Sequence, residues 1–264
     1  MLRQSHRGDD STYYYYDLNG NLIDKRSKGE TTTYEYDGFN RLTKAALPDG
    51  RFQTNEYNAL DQRTETMENG VVRQYAYNGR NVIMETDQGG KKRSTYIRGL
   101  ELISKTNNKD QMCYYLHNRH GDITEIVDKE GKVLNKYGYD PFGNLKESIE
   151  RIDNQYKYAG ERYDGITEKY YLRARYYDPH IGRFTQEDTY RGDGLNLYAY
   201  VSNNPLKYVD PSGHGKDGAI INSGIPRVVD PESMVVNRLS EDEFGPSLKG
   251  SSRNTDNPYG FNPD

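Results

Sequence analysis

A tyrosine followed by an aspartate or asparagine returns about every 20 residues through the first half of this chain, and that rhythm constrains the fold more than any other feature. Tyr16-Asp17, Tyr36-Asp37, Tyr57-Asn58, Tyr77-Asn78 and Tyr139-Asp140 mark it, and Asn118 falls on the same count. The one gap, from Asn78 to Asn118, is two periods wide, with Arg98 at its midpoint. A fixed period of this size means repeated supersecondary units that share a core by stacking on their neighbours.

Composition agrees with such a fold. Only 33% of the 264 residues are hydrophobic, 26 are Tyr and there is no Trp. A large core of Leu, Ile and Val is hard to build from that supply. A thin sheet with tyrosine rings packed flat on neighbouring strands is easier, because Tyr favours strands and carries a polar end. The 26 Gly and 10 Pro supply turns. Regularly spaced aromatics argue against disorder for residues 1–210 despite the low hydrophobicity. The net charge is −4 with both signs interspersed, so no basic face points to nucleic acid. Cys113 is alone, which excludes an intrachain disulfide, and beside Tyr114 and Tyr115 it reads as a small buried residue. No apolar run reaches the roughly 18 residues of a membrane span. Met1–His6 lacks the apolar stretch of a signal peptide. With no capping unit ahead of Tyr16-Asp17, the chain reads as the C-terminal end of a longer array.

Set in phase, the units read alike. Thr33-Tyr34-Glu35-Tyr36 alternates large and polar residues as a half-buried strand requires. It ends in the turn composition Asp37-Gly38-Phe39-Asn40, and Arg41-Leu42-Thr43 starts the returning strand. Half a period later stand Lys28-Gly29, Asp49-Gly50, Asn69-Gly70, Gly89-Gly90 and Glu130-Gly131, which are hairpin signals. Each unit is then two short antiparallel strands with a turn at each end, and about seven of them make a long twisted ribbon. In this reading the tyrosine packs between adjacent strands while the following carboxylate or amide caps the turn. A carbohydrate-stacking surface is the alternative duty for the same rings.

Tyr34-Glu35-Tyr36-Asp37-Gly38-Phe39-Asn40-Arg41-Leu42 and Tyr16-Asp17-Leu18-Asn19-Gly20-Asn21-Leu22 resemble the YD repeats of Rhs proteins. That group includes bacterial polymorphic toxins, wall-associated proteins of Gram-positive bacteria and the C component of Tc toxins, with related repeats in teneurins. Residues 156–214 break the period and carry Tyr170-Tyr171-Leu172-Arg173-Ala174-Arg175-Tyr176-Tyr177-Asp178-Pro179, Gly182-Arg183-Phe184-Thr185-Gln186-Glu187-Asp188, Asn203-Asn204-Pro205 and Asp210-Pro211-Ser212-Gly213-His214. This is similar to the Rhs repeat-associated core domain. The resemblance implies an all-β fold: a spiralling antiparallel YD-repeat sheet, a partial Rhs shell, closed by a core plug. The organisation expected is a lead-in at 1–11, a YD-repeat β ribbon at 12–155, the core at 156–214 and a variable tail at 215–264.

In several members of that family the core is an aspartyl protease that cuts its own chain just after an Asp-Pro-x-Gly-Leu sequence. Such chemistry needs two carboxylates close enough for their pKa values to part, one acting as base on a water and the other as acid. The resemblance places this pair at Asp188 and Asp210, with Arg183 orienting one of them and the cut following His214. Thr189 stands where the family's usual residue is Pro, and His214 where cleaving members have Leu. The other reading of Asp188 and Asp210 is that they cap turns, as Asp178 before Pro179 is expected to do.

Other candidates are weaker. His117 and His120, with Asp122 nearby, have the residue types of a metal site but sit in a repeat turn without a third placed ligand, so no metal is expected. Asp17-Leu18-Asn19-Gly20-Asn21 departs from a calcium loop in its glycine position and its missing closing Glu. No cofactor motif is present. The tail from Gly215 is 50 residues rich in Gly, Ser, Asn, Asp and Pro, and reads as a mostly irregular truncated effector or peptide cargo, with a compact toxin as the alternative. The expected function is packaging and presenting a C-terminal effector in cis, in a protein secreted from or held on the surface of a bacterium, with an immunity protein or secretion machinery as further partners. A cell-wall or carbohydrate-binding repeat module without proteolytic activity is the alternative.

Overall fold

The computed structural model describes residues 2–7, 10–190, 195–215 and 217–218. Among them, fifteen strands from β1 (Leu2–Arg7) to β15 (Leu145–Glu150) form one antiparallel sheet in simple chain order. The first and last strands do not pair, so the sheet is open. This is the all-β antiparallel repeat sheet that the tyrosine period implies. The expectations for residues 219–264, the bulk of the tail, lie outside the described residues.

The Tyr-Asp mark has its cause in the turns. Asp17 Oδ1 accepts the N–H groups of Asn19 at 2.9 Å and Asn21 at 2.8 Å, and Asp37 Oδ1 those of Phe39 at 2.9 Å and Arg41 at 3.0 Å. Asn58, Asn118 and Asp140 repeat the pattern. One side-chain oxygen thus satisfies two backbone donors that the turn leaves without strand partners. At three marks the tyrosine hydroxyl ties the unit to the one before. Tyr57 donates to Leu42 O, Tyr77 to Arg63 O and Tyr139 to Ile123 O, each at 2.8 Å. Where the mark carries His117 instead of tyrosine, its Nε2 stands 2.8 Å from Leu102 O, the same link in another residue. At the opposite end, Lys28-Gly29 and Asn69-Gly70 take positive φ at both residues, the geometry of a two-residue hairpin that matches strand twist.

Alternation along the strands buries Tyr14, Tyr34, Tyr75, Tyr96, Tyr115 and Tyr137. That buried face meets the core segment. There β16 (Arg162–Asp164), β17 (Lys169–Leu172), β18 (Arg175–Asp178) and β19 (Arg183–Phe184) form a four-stranded antiparallel sheet, and β20 (Tyr208–Val209) pairs with β21 (Asp217–Gly218). Contacts run from one end of the repeat sheet to the other. Tyr16 packs edge-on against Tyr198 at 5.4 Å, Tyr96 against Tyr156 at 5.3 Å, and Asn144 Nδ2 donates to Pro179 O at 2.9 Å. Gly20 is required at this junction, because a Cβ there would lie 2.6 Å from Glu187 Cβ and 2.8 Å from the Tyr198 hydroxyl.

In the third unit the inward position is Asn55, not tyrosine, and the space holds a charge pair. Arg63 and Asp164 are both fully buried. Arg63 Nη1 donates to Asp164 Oδ2 at 2.5 Å and Nη2 to Oδ1 at 2.9 Å, while Gln53 Nε2 donates to the same carboxylate at 2.7 Å. The guanidinium also donates to the Tyr176 hydroxyl at 2.7 Å and lies 4.2 Å from the Tyr171 ring. Bidentate geometry and these added bonds offset the desolvation of both charges. Removing one partner leaves the other charge buried and alone. Asp164→Ala is therefore expected to lower unfolding free energy by roughly 3–5 kcal/mol in urea titration. A loss below about 1 kcal/mol would show that the pair does not hold sheet and core together.

Candidate active site

The two aspartates brought forward by the sequence come together around an arginine the sequence did not single out. β18 begins with Arg175, just after the two-residue turn Arg173-Ala174, and its side chain is buried. Arg175 Nη2 lies 2.6 Å from Asp188 Oδ2 and 3.8 Å from Asp210 Oδ2. Nη1 donates to Leu197 O at 3.0 Å, Nε donates to Gly213 O, and the guanidinium stacks 3.6 Å from the Phe184 ring. One planar cation thus joins both carboxylates to the loop backbone that precedes His214.

Each carboxylate is also held by backbone. Asp188 Oδ1 accepts the N–H of Tyr190 at 2.9 Å and stands 3.1 Å from His214 Nδ1. Asp210 Oδ1 accepts the N–H of Ser212 at 3.2 Å, its hydroxyl at 3.0 Å and the N–H of Gly213 at 2.8 Å. Both aspartates therefore cap turns and face one another's counterion at once. Burial pushes the Asp210 carboxyl above the usual range, and Ser212, the N–H groups of Gly213 and Gly215, and Arg175 pull it part of the way back. The N–H of Gly215 belongs to the peptide bond that follows His214. Gly213 has φ of +77°, and a Cβ there would collide with Leu172 O and lie 3.0 Å from Arg175 N. Only glycine lets the chain approach the arginine this closely.

Arg183 stands elsewhere. It lies on β19 in register with Asp178, and Arg175 is the arginine within ion-pair distance of both aspartates. Arg175 opens the wholly buried strand Arg175-Tyr176-Tyr177-Asp178, and a charged residue leading a tyrosine pair was the only sign of it in the sequence. Asp178 is buried against Lys169 Nζ at 2.9 Å and accepts the His180 N–H at 3.0 Å. Burial raises its pKa, and Lys169 overrides this and holds the carboxylate well below its usual range. His117 and His120 do not converge on a shared site. His120 Nδ1 lies 2.8 Å from Asp122 Oδ1, which also accepts the Ala159 N–H at 2.8 Å and so joins a repeat turn to the core. Cys113 is buried.

A meander of Tyr-Asp units wound over a tyrosine-rich core of the same chain defines a YD-repeat protein. Residues 68–206 match the Teneurin YD-shell family and residues 16–51 match the RHS Repeat, and the chain belongs to the Teneurin YD-shell family. It is 41% identical over 213 residues to the tRNA3(Ser)-specific nuclease WapA of Bacillus spizizenii, covering 75% of this chain and 9% of that protein. It is 34% identical over 110 residues to the toxin subunit YenC1 of Yersinia entomophaga, covering 39% of this chain and 11% of the relative. The chain therefore spans about a tenth of the length of these relatives. Among solved structures, the TcdB2-TccC3-Cdc42 crystal structure superposes with a TM-score of 0.58 at 18% identity over 80% of this chain and 14% of that one. The Tc holotoxin pore of Photorhabdus luminescens gives 0.56 at 19% identity over 77% of this chain and 13% of that one. Both show the same fold.

The raised Asp210 pKa carries a sign that stability can read. An acid whose folded pKa exceeds its unfolded value of about 3.9 stabilises the fold below that value, and the contribution disappears as pH rises through the folded value. At neutral pH the buried carboxylate is a cost. Asp210→Asn keeps the Oδ1 acceptor and removes the charge. The variant is expected to unfold at the same or higher urea concentration than the parent at pH 7, with its relative advantage shrinking as pH falls to about 4. A variant that is weaker at pH 7 and equal in acid contradicts this account.

Proposed function

We propose that this chain is the closing part of an Rhs-type toxin-delivery protein, a stretch of repeat sheet with its core plug, which packages and presents a C-terminal effector in cis and releases it by cutting its own chain after His214. The relatives, named as a tRNA nuclease and a toxin subunit, support the delivery role. So does the repeat sheet, whose tyrosine face is covered by the core. The observation that carries the cut is the single guanidinium of Arg175 between two buried aspartates beside the bond.

The residues divide the work by position. Asp188, ion-paired to Arg175, acts as base and takes a proton from the attacking water. Asp210, raised by burial and held by the Ser212 and Gly213 N–H groups just before the bond, acts as acid and protonates the leaving amine. Water oxygen bonds to the His214 carbonyl carbon, the carbon–nitrogen bond to Gly215 breaks, and the products are a carboxyl terminus at His214 and an amino terminus at Gly215. Arg175 positions the substrate strand through Gly213 O and keeps the two carboxylates apart. In this reading the protein is secreted from or held on the surface of a bacterium, and an immunity protein or secretion machinery are its further partners.

Intact mass spectrometry of the expressed full chain tests the cut. The parent is expected to yield one fragment ending at His214 and one beginning at Gly215, while Asp188→Asn and Asp210→Asn stay whole. A parent that remains full length while unfolding cooperatively would make the core a structural plug only.

A further inference from the structure

Between the repeat sheet and the core lies a cavity of about 450 Å³, within the range of roughly 300–1,000 Å³ that small-molecule sites occupy. Six arginines contribute to its wall: Arg41, Arg80, Arg98, Arg162, Arg173 and Arg175. Three of them are balanced, Arg41 by Asp37 and Asp61, Arg173 by Glu161, and Arg175 by Asp188. Among the described residues Arg80, Arg98 and Arg162 enter no ion pair.

Arg162 is the informative one. It is only 5% exposed, and its guanidinium lies 4.3 Å from the Tyr75 ring and 4.9 Å from the Tyr171 ring. Nη2 donates to the Tyr77 hydroxyl at 3.0 Å, while Nη1 is buried with no hydrogen-bond partner. Arg98, whose guanidinium lies 4.8 Å from the Tyr156 ring, likewise has a buried Nε without a partner. Of the carboxylates on this wall, Asp61 pairs with Arg41 and Glu161 with Arg173, Glu187 lies against Gly20, and nearby Asp164 is paired with Arg63; among the described residues none of them forms an ion pair with Arg98 or Arg162. Cation–π contact with tyrosine faces recovers part of the lost hydration but does not balance the charge. A buried cation without a counter-charge is costly to keep, and the half-buried Arg98 on the same wall adds repulsion.

We infer that this cavity is a binding site for a small organic anion, whose phosphate or carboxylate group supplies the missing counter-charge to Arg162 and Arg98. Guanidinium forks match both kinds of oxyanion in a bidentate way. Phe39, Leu60 and Tyr156 on the same wall provide apolar and aromatic surface for the organic body. Arg175, Ser212 and His214 of the candidate active site also line this cavity, but anion binding at Arg162 and Arg98 does not require self-cleavage.

Calorimetric titration of the full chain with pyrophosphate, AMP and citrate tests this directly. At least one is expected to bind with a Kd tighter than about 1 mM, and Arg162→Met is expected to weaken it at least about tenfold. Pyrophosphate binding as tightly as AMP would identify the phosphate as the recognised group, AMP binding more tightly would add the organic body, and citrate preference would identify a carboxylate ligand. Arg162→Lys, which keeps the charge and loses the fork, is expected to fall between parent and Arg162→Met. In the absence of ligand, Arg162→Met is expected to melt no lower than the parent, because it removes an unpaired buried charge. No binding by any of the three anions, or equal binding by parent and Arg162→Met, would overturn the inference, as would a lowered melting temperature in a variant that still binds.

Discussion

A repeat sheet that buries tyrosines along one face needs something to cover that face, and here the cover is a later part of the same chain. The fully buried Arg63–Asp164 pair is where the two meet most firmly. Arg63 comes from the sheet and Asp164 from the core, and neither charge has water to fall back on. Around them Tyr176 and Gln53 add hydrogen bonds and the Tyr171 ring stacks on the guanidinium. A sheet that slid by one residue would turn these groups outward and strand the opposite charge, so the pair also fixes register.

The candidate site depends on that docking. Arg175 opens the strand that also carries Tyr176, and Tyr176 is bonded to Arg63. Asp188 follows the segment in which Thr185 O receives the Leu22 N–H and Glu187 N donates to Gly20 O, so its position is referenced to the first repeats. The core is therefore not a free-standing unit laid beside the sheet. Asp188 is presented by backbone that the sheet itself holds, and Asp210 by backbone bonded to Ala174 of the core. The arginine-lined cavity arises from the same meeting, since its walls are drawn from both sides.

Much of the fold was legible in the sequence because its signals are local. An aspartate or asparagine that accepts two N–H groups within four residues of itself leaves a fixed mark, and so does a two-residue turn with positive φ. Those marks repeat, so the antiparallel order followed from them. The tyrosine's second duty, a hydroxyl bond to a carbonyl some 15 residues earlier, was less visible, as was the same link made by His117 at the Asn118 mark. Asp188 and Asp210 were legible through family resemblance. Arg175, Arg162 and the Arg63–Asp164 pair were not, because an arginine in a strand pattern reads as a solvated face until its burial is known.

By itself the sequence determined the unit: its strands, both kinds of turn and the count that makes neighbours stack. These depend on contacts a few residues apart. Which charges are buried, which arginine stands between the two aspartates and which arginines lack a counter-charge were decided only by tertiary structure. Those outcomes depend on groups up to 113 residues apart, as between Arg63 and Tyr176. Desolvation, which sets the energy of every such charge, exists only once the sheet and core have closed over it.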